Sequence, residues 1–432
     1  KFFDDGEPVN GYHNDQFQNV AITPEDDILT CGWTNKDYAG TYYGAVIKLS
    51  GTDGSIVWQR HTNEEDGTKK IAVDSAGKIY TFTDSEVLFV YASDGTLEQE
   101  WKITASGSGD AYYLEDVYID KNDNAVLCGF FYTSGGDPSS PFITKLPATI
   151  QAGTTGDFVI TAQSKGDSAG GLTPTTFTSY TANTMSGVIT NGTSGLTPSS
   201  VSATSTGPST VTGASGGSQP QGWISTITDE LNGYGYPDMR IKSLAVDSSD
   251  NIYAGGDADY WQIVVKILTD GTVDSAASFG ASATTNNNRA IAVASDGGIF
   301  TAGEAKDNWN KKDGHVMRLT TTLSKSYDSF FGEGYDDEHH DIAADSSGNV
   351  FAVGDSQSFA FNWSGNPKGH IVKHDSTGGV AKVLIGTNLS SSTPQGISTD
   401  GTNPYVILHD TGVGIVIAKL NSALSSITWA RS

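Results

Sequence analysis

Basic residues are scarce in this chain: 25 Lys and Arg stand against 50 Asp and Glu, a formal charge of −25 at pH 7. A field of that sign repels nucleic acid and anionic membranes, which argues against both as partners. No apolar run approaches the ~20 residues needed to cross a membrane, so no membrane insertion is expected. There are only 2 cysteines. Cys31 (Ile-Leu-Thr-Cys-Gly) and Cys128 (Val-Leu-Cys-Gly) hold the same place in two non-adjacent repeat units, too far apart for a disulfide. They read as small buried thiols and do not reveal the redox compartment. The sequence also lacks Gly-x-Ser-x-Gly, His-Glu-x-x-His and any phosphate loop. It has no signal peptide and begins at Lys1 rather than Met, so a processed product or a segment of something longer is expected.

What is present is a repeated phrase. An apolar strand runs into an Asp-Ser-x-Gly-Asn-type turn, followed by a strand rich in Tyr, Phe, Val and Ile that usually ends in Gly. The turn occurs at Asp74–Lys78, Asp120–Asn124, Asp247–Asn251 and Asp345–Asn349, with weaker copies at Thr23–Asp27, Ala294–Gly298 and Asp400–Pro404. In such turns Asn, Asp and Gly tolerate positive φ and close a tight hairpin. Third strands read at Ala45–Leu49, Phe142–Leu146, Ile263–Leu268, His315–Leu319, His370–His374 and Ile415–Leu420, and fourth strands at Ser55–Arg60, Leu97–Ile103 and Ile427–Arg431. Four alternating segments per unit at a spacing of roughly 50 residues are the pattern of a propeller blade. The expected fold is therefore all-β: a seven-bladed β-propeller of four-stranded antiparallel blades. The opening Lys1-Phe2-Phe3 is expected either to pair with the last blade or to belong to a blade continuing upstream.

Six third strands carry a basic residue at one position: Lys48, Lys145, Lys266, Arg318, Lys373 and Lys419. These are expected to pair with acidic or backbone groups between blades rather than to ring a ligand. The units resemble the bacterial beta-propeller repeat family, whose repeat runs from an apolar strand through Asp-Ser-x-Gly-Asn to a strand ending near Gly, then to a Thr-Lys-Leu-like third strand. The match spans about residues 19–146 and 222–432. Unit two lacks the basic residue and the Gly, and unit seven has Pro404 in its turn. The resemblance implies a propeller used outside the cytoplasm and carries no catalytic motif.

Three segments follow. Residues 1–146 hold blades 1 to 3 (first part), 147–221 form a Ser/Thr/Gly-rich insertion of β type in blade 3, and 222–432 hold the end of blade 3 and blades 4 to 7. Between Gln151 and Gly222 only Asp157, Lys165 and Asp167 are charged. Alternating runs such as Asp157–Ile160 nonetheless predict strands, and a segment so poor in apolar residues needs a surface to order against. The propeller itself or a neighbouring subunit is expected to supply it.

Loops joining second to third strands, and blade to blade, share one face. They are rich in aromatics, from which Trp33, Tyr38, Tyr42, Tyr132, Tyr260, Trp261, Trp309 and Trp363 are taken as the candidate ligand-binding residues, with Phe131 and Phe361 beside them. Glu64-Glu65-Asp66 and Asp336-Asp337-Glu338 add carboxylates. Such a face suits sugars, whose C–H surfaces stack while their hydroxyls are hydrogen-bonded; it equally suits a protein partner, or simple capping of the blades. The Asp120, Asn122, Asn124 run begins like a calcium loop but lacks its Gly and distal Glu. His339 and His340 would point to opposite faces of a strand, so neither a metal nor any other cofactor is expected. No catalytic residues are assigned. The expected function is a non-catalytic structural and recognition module of an extracellular or virion-surface assembly (phage tail, baseplate or fibre, or bacterial surface appendage). Its partners would be other subunits of that assembly and a host-surface glycan or protein. A free-standing lectin and a propeller polysaccharide lyase or glycosidase are the alternatives.

Overall fold

The computed structural model describes residues 16–35, 42–62, 66–105, 111–132, 140–148, 150, 152–155, 158–162, 168–169, 212–216, 223–228, 239–258, 261–279, 286–306, 312–332, 335–358, 367–385, 392–410 and 414–431. Seven antiparallel sheets follow one another along the chain. Their first strands are Gln16–Ile22, Thr68–Val73, Ala111–Ile119, Met239–Val246, Asn286–Val293, Asp337–Ala344 and Ser392–Thr399, and each packs beside the next to close a ring. This is the seven-bladed propeller that the repeat predicts. Blade 7 takes all four strands, ending with Ile427–Arg431, from contiguous chain. The ring closes through side chains: Phe17, Val20 and Ile47 of blade 1 interlock with Tyr405, Ile407 and Ile417 of blade 7. Lys1–Phe3 lie outside the described residues.

The hairpin turns work as their sequences indicate. Asp26, Gly77, Asp123, Asp250, Gly297, Gly348 and Gly401, one per blade, adopt positive φ between 61° and 82°. The leading Asp locks the turn from its own side chain: Asp74 Oδ1 accepts from the amides of Ala76 and Lys78, and Asp345 Oδ1 from those of Ser347 and Asn349. The third-strand cations land on these turns. Lys48 meets Asp27 at 3.2 Å, Lys419 meets Asp400 at 3.0 Å, and Lys145 contacts Asp120. The expectation that they bridge blades needs correction. Lys48, Lys145 and Lys419 pair within their own blade because the third strand lies beside the hairpin that its own sheet contains, and Lys266 pairs with Asp274 on its own fourth strand. Only Arg318 and Lys373 reach the following blade, donating to the carbonyls of Ser376 and Ser422.

Each pair of neighbouring blades shares one apolar layer, and seven such layers make up the core. Blade 3 is completed by Trp223–Thr228, which pairs with its third strand Ser140–Leu146. The described pieces of the insertion extend outer edges of the chain's own blades. Phe158–Ala162 adds to the outer strand of blade 2, burying Phe158 and Ile160; Ser168–Ala169 adds to that of blade 1; Thr212–Gly216 adds to Trp223–Thr228. Covering these edges withdraws unpaired backbone groups from intermolecular pairing.

Candidate functional site

The first strands depart from simple pairing at one level. Each carries one extra residue, a bulge, at Gln18, Lys69, Glu115, Lys242, Arg289, His340 and Gln395. The bulge explains the Gly at the end of the second strand. A Cβ on Gly303 would lie 1.9 Å from the carbonyl oxygen of Asn287, and one on Gly354 1.8 Å from that of Glu338. Blades 2 and 7, with Thr83 and Leu408 there, are the exceptions.

Just past the bulge a polar ring joins the blades. Asn19 Oδ1 accepts the amide of Ile71 at 3.2 Å, Asp116 Oδ2 that of Leu244 at 2.8 Å, Ser243 Oγ that of Ile291 at 3.3 Å and Asp341 Oδ2 that of Ile397 at 2.9 Å. Lys70, Ala290 and Gly396 at the same level have no acceptor, and in the blades after the first two Asp116 and Asp341 also take their own following amides, Val117 and Ile342. Burial pushes Asp116 up to about 6 and raises Asp341; Lys70, between them, is held above its ordinary range by Asp341 and Asp116 despite burial. Two residues on, six blades carry a small residue (Ala21, Ala72, Ala245, Ala292, Ala343 and Ser398), while blade 3 places Tyr118 there, 38% exposed.

On the loop side of the bulge is the mouth of the channel. The second-strand residues at this level are Trp33, Asp84, Phe130, Asp257, Glu304, Asp355 and His409. In four blades the bulge residue pairs with the carboxylate beside it. Lys69 meets Asp84 at 2.7 Å, Lys242 contacts Asp257, Arg289 meets Glu304 at 3.5 Å and His340 meets Asp355 at 2.5 Å. Blades 5 and 6 are knitted further: Arg289 binds Glu338 at 2.6 Å and Lys312 binds Glu304 at 2.9 Å. Burial and a hydrogen bond to Glu304 push Glu338 up. Burial alone would raise Glu304 too, but Glu338, Lys312 and Arg289 hold it below its ordinary value. These two carboxyls face each other at hydrogen-bonding range. They are too close for a glycosidase pair, which needs about 5 Å or more between its carboxyl groups.

Blades 3 and 4 give the mouth an aromatic sector. Tyr113 stacks on Phe130 at 5.1 Å, and Tyr132 stands edge-on to both. The Arg240 guanidinium lies 5.2 Å from the Phe130 centroid and donates to the Tyr132 hydroxyl at 3.4 Å. Tyr113 is 38% exposed.

Of the eight candidate aromatics, Tyr132 belongs to this sector. Trp33 is half-buried over Gly67 of blade 2, and Trp261 is half-buried at the start of the third strand of blade 4. Tyr38, Tyr260, Trp309 and Trp363, with the side chain of Tyr42, lie outside the described residues, as does Phe361. Phe131 stacks on Tyr112, half-buried beside the layer between blades 2 and 3. The acidic run at 336–338 is divided: Asp337 is buried and binds Ser358, whereas Glu338 faces the mouth. His339 and His340 do part company. His339 is buried against His370 at 2.9 Å, and His340 turns toward Asp355. Tyr113, Phe130 and Arg240 were missed by sequence reasoning, because only the bulge, a one-residue slip in the alternation, brings them together.

No protein-family profile and no curated protein matches the chain. Among solved structures it is similar to the beta-propeller domain of Cps50 (Swd1) from Myceliophteria thermophila, with TM-score 0.50 and 7% identity over 95% of this chain and 99% of that one. It is also similar to U3-55K, with TM-score 0.50 and 10% identity over 92% and 89%. At such identity the likeness shows the fold alone, a β-propeller.

Proposed function

We propose that this chain is a non-catalytic recognition module of an extracellular or virion-surface assembly, such as a phage tail, baseplate or fibre or a bacterial surface appendage. Its channel-mouth face would meet a protein or glycan partner. The reading rests on one observation above all: the sector of Tyr113, Phe130, Tyr132 and Arg240, in which a 38% exposed ring is stacked on a buried one and flanked by a guanidinium. Rigid rings beside an arginine are the chemistry of interface anchors and of sugar stacking. The acidic charge of −25 and the abundance of Ser, Thr and Gly support the location. The insertion offers less support than its composition promised, since its described strands find their partners on blades 1, 2 and 3.

The test is a glycan array, together with titration against subunits of the assembly encoded beside this chain. Tyr113→Ala and Arg240→Ala should each weaken the response at least tenfold without lowering the melting temperature. Retention of full binding in both variants, or turnover of a polysaccharide in the array panel, overturns the reading.

A further inference from the structure

Blade 6 breaks the charge pattern of the mouth in two ways. Where blades 2, 4 and 5 place a permanent cation on the bulge, it places His340, whose ring can be neutral and donate a lone pair. Two residues before the bulge it carries Glu338, where the other blades have Gln16, Gly67, Tyr113, Arg240, Asn287 and Thr393. His340 Nε2 therefore lies 2.5 Å from Asp355 Oδ1 and 3.7 Å from Glu338 Oε1, and donor atoms of all three residues sit within 4.8 Å of one another.

We propose that Glu338, His340 and Asp355 form a binding site for a divalent transition-metal ion of the zinc type at the mouth of the channel. A metal at about 2.0–2.2 Å from nitrogen and oxygen ligands sets its donor atoms roughly 3.3 Å apart. The imidazole–Asp355 contact would open by less than about 1 Å and the Glu338 contact would close slightly. One imidazole with two carboxylates suits zinc-type ions, whereas calcium and magnesium take oxygen ligands.

The surroundings fit the same ion. Glu338 uses Oε2 to bind Arg289 at 2.6 Å, leaving Oε1 toward His340. That arrangement orients a ligating carboxylate from its outer side. Behind it Glu304 is fully buried, with Arg289 3.5 Å from its Oε2. His340, Glu338 and Asp355 are each half-buried rather than sealed, so an ion can reach them. The inference does not depend on the recognition reading.

The experiment titrates the chelator-treated full chain with zinc chloride alone by calorimetry, with cobalt chloride as a spectroscopic probe. One ion per chain with micromolar affinity is expected, and His340→Gln and Asp355→Asn should each weaken it at least tenfold. Cobalt should give the intense visible bands of a low-coordinate site, lost in both variants. Glu338→Gln, a conservative change at the strand edge, serves where another variant melts early; it too should weaken zinc at least tenfold. The proposal is overturned by no zinc heat at about 0.1 mM, where a micromolar site would be saturated. Zinc affinity unchanged in the folded variants, or tighter binding of calcium than of zinc, overturns it as well.

Discussion

Asp116 in blade 3 accepts the backbone amide of Leu244 in blade 4 at 2.8 Å, and its other oxygen takes its own following amide, Val117. The doubled role traces to blade 2, where Lys70 offers no acceptor for blade 3. Asp116→Ala would leave two buried amides without partners, each costing ~1–3 kcal/mol. Denaturant unfolding should show a loss of roughly 2–6 kcal/mol. Ser243→Ala, which frees only the amide of Ile291, should cost about 1 kcal/mol. Equal losses would contradict the bridging account.

Gly303 tests the bulge. An alanine Cβ would sit 1.9 Å from the Asn287 carbonyl oxygen, a backbone atom that cannot swing aside. Gly303→Ala should therefore destabilise by about 3 kcal/mol or more, at the upper end of overpacking costs. At the matching position of blade 2, Thr83→Ala should cost less than half as much. Melting temperatures of the two variants decide it.

Breaking the pair beneath blade 3 should be costly. Lys145 and Asp120 have side chains 9% and 1% exposed, and Asp120 is held below its usual range by Lys145 and the Asn124 bonds in spite of burial. Lys145→Met leaves a buried carboxylate with less support, a loss of about 3–5 kcal/mol at neutral pH. Adding Asp120→Asn should recover part of it, because the stranded charge is then gone. An additive double variant would show that the two side chains are not coupled.

His374 gives a pH dependence. Burial lowers its pKa from 6.5 to about 4. The unfolded chain therefore binds the proton first as pH falls, and the stability that the neutral ring supports above pH 6.5 is lost progressively down to about 4. That depression corresponds to roughly 3 kcal/mol. Unfolding free energies of the protein and of His374→Phe, measured from pH 7 to 4, should converge by roughly that amount. Parallel curves would refute the assignment.

The blade is legible in the chain alone. The Asp-led turns, the period-2 strands, the count of seven and the break after Leu146 are all local signals, since turn chemistry and side-chain alternation act within a few residues. The terminal Gly of the second strand was legible as a pattern but not as a cause. Its reason is a carbonyl oxygen from the neighbouring strand, such as that of Asn287 against Gly303. Only the tertiary structure decided what the mouth is made of. A bulge of one residue per first strand rotates Lys69, Lys242, Arg289 and His340 onto second-strand carboxylates. Strand pairing inside blade 3 sets Tyr113 beside Phe130, and the approach of blade 6 to blade 5 sets Glu338 beside Glu304. Within a blade these partners face each other across one hairpin in a register that the bulge has shifted, and between blades they meet at the angle of the sheets, so no periodicity in the chain announces them.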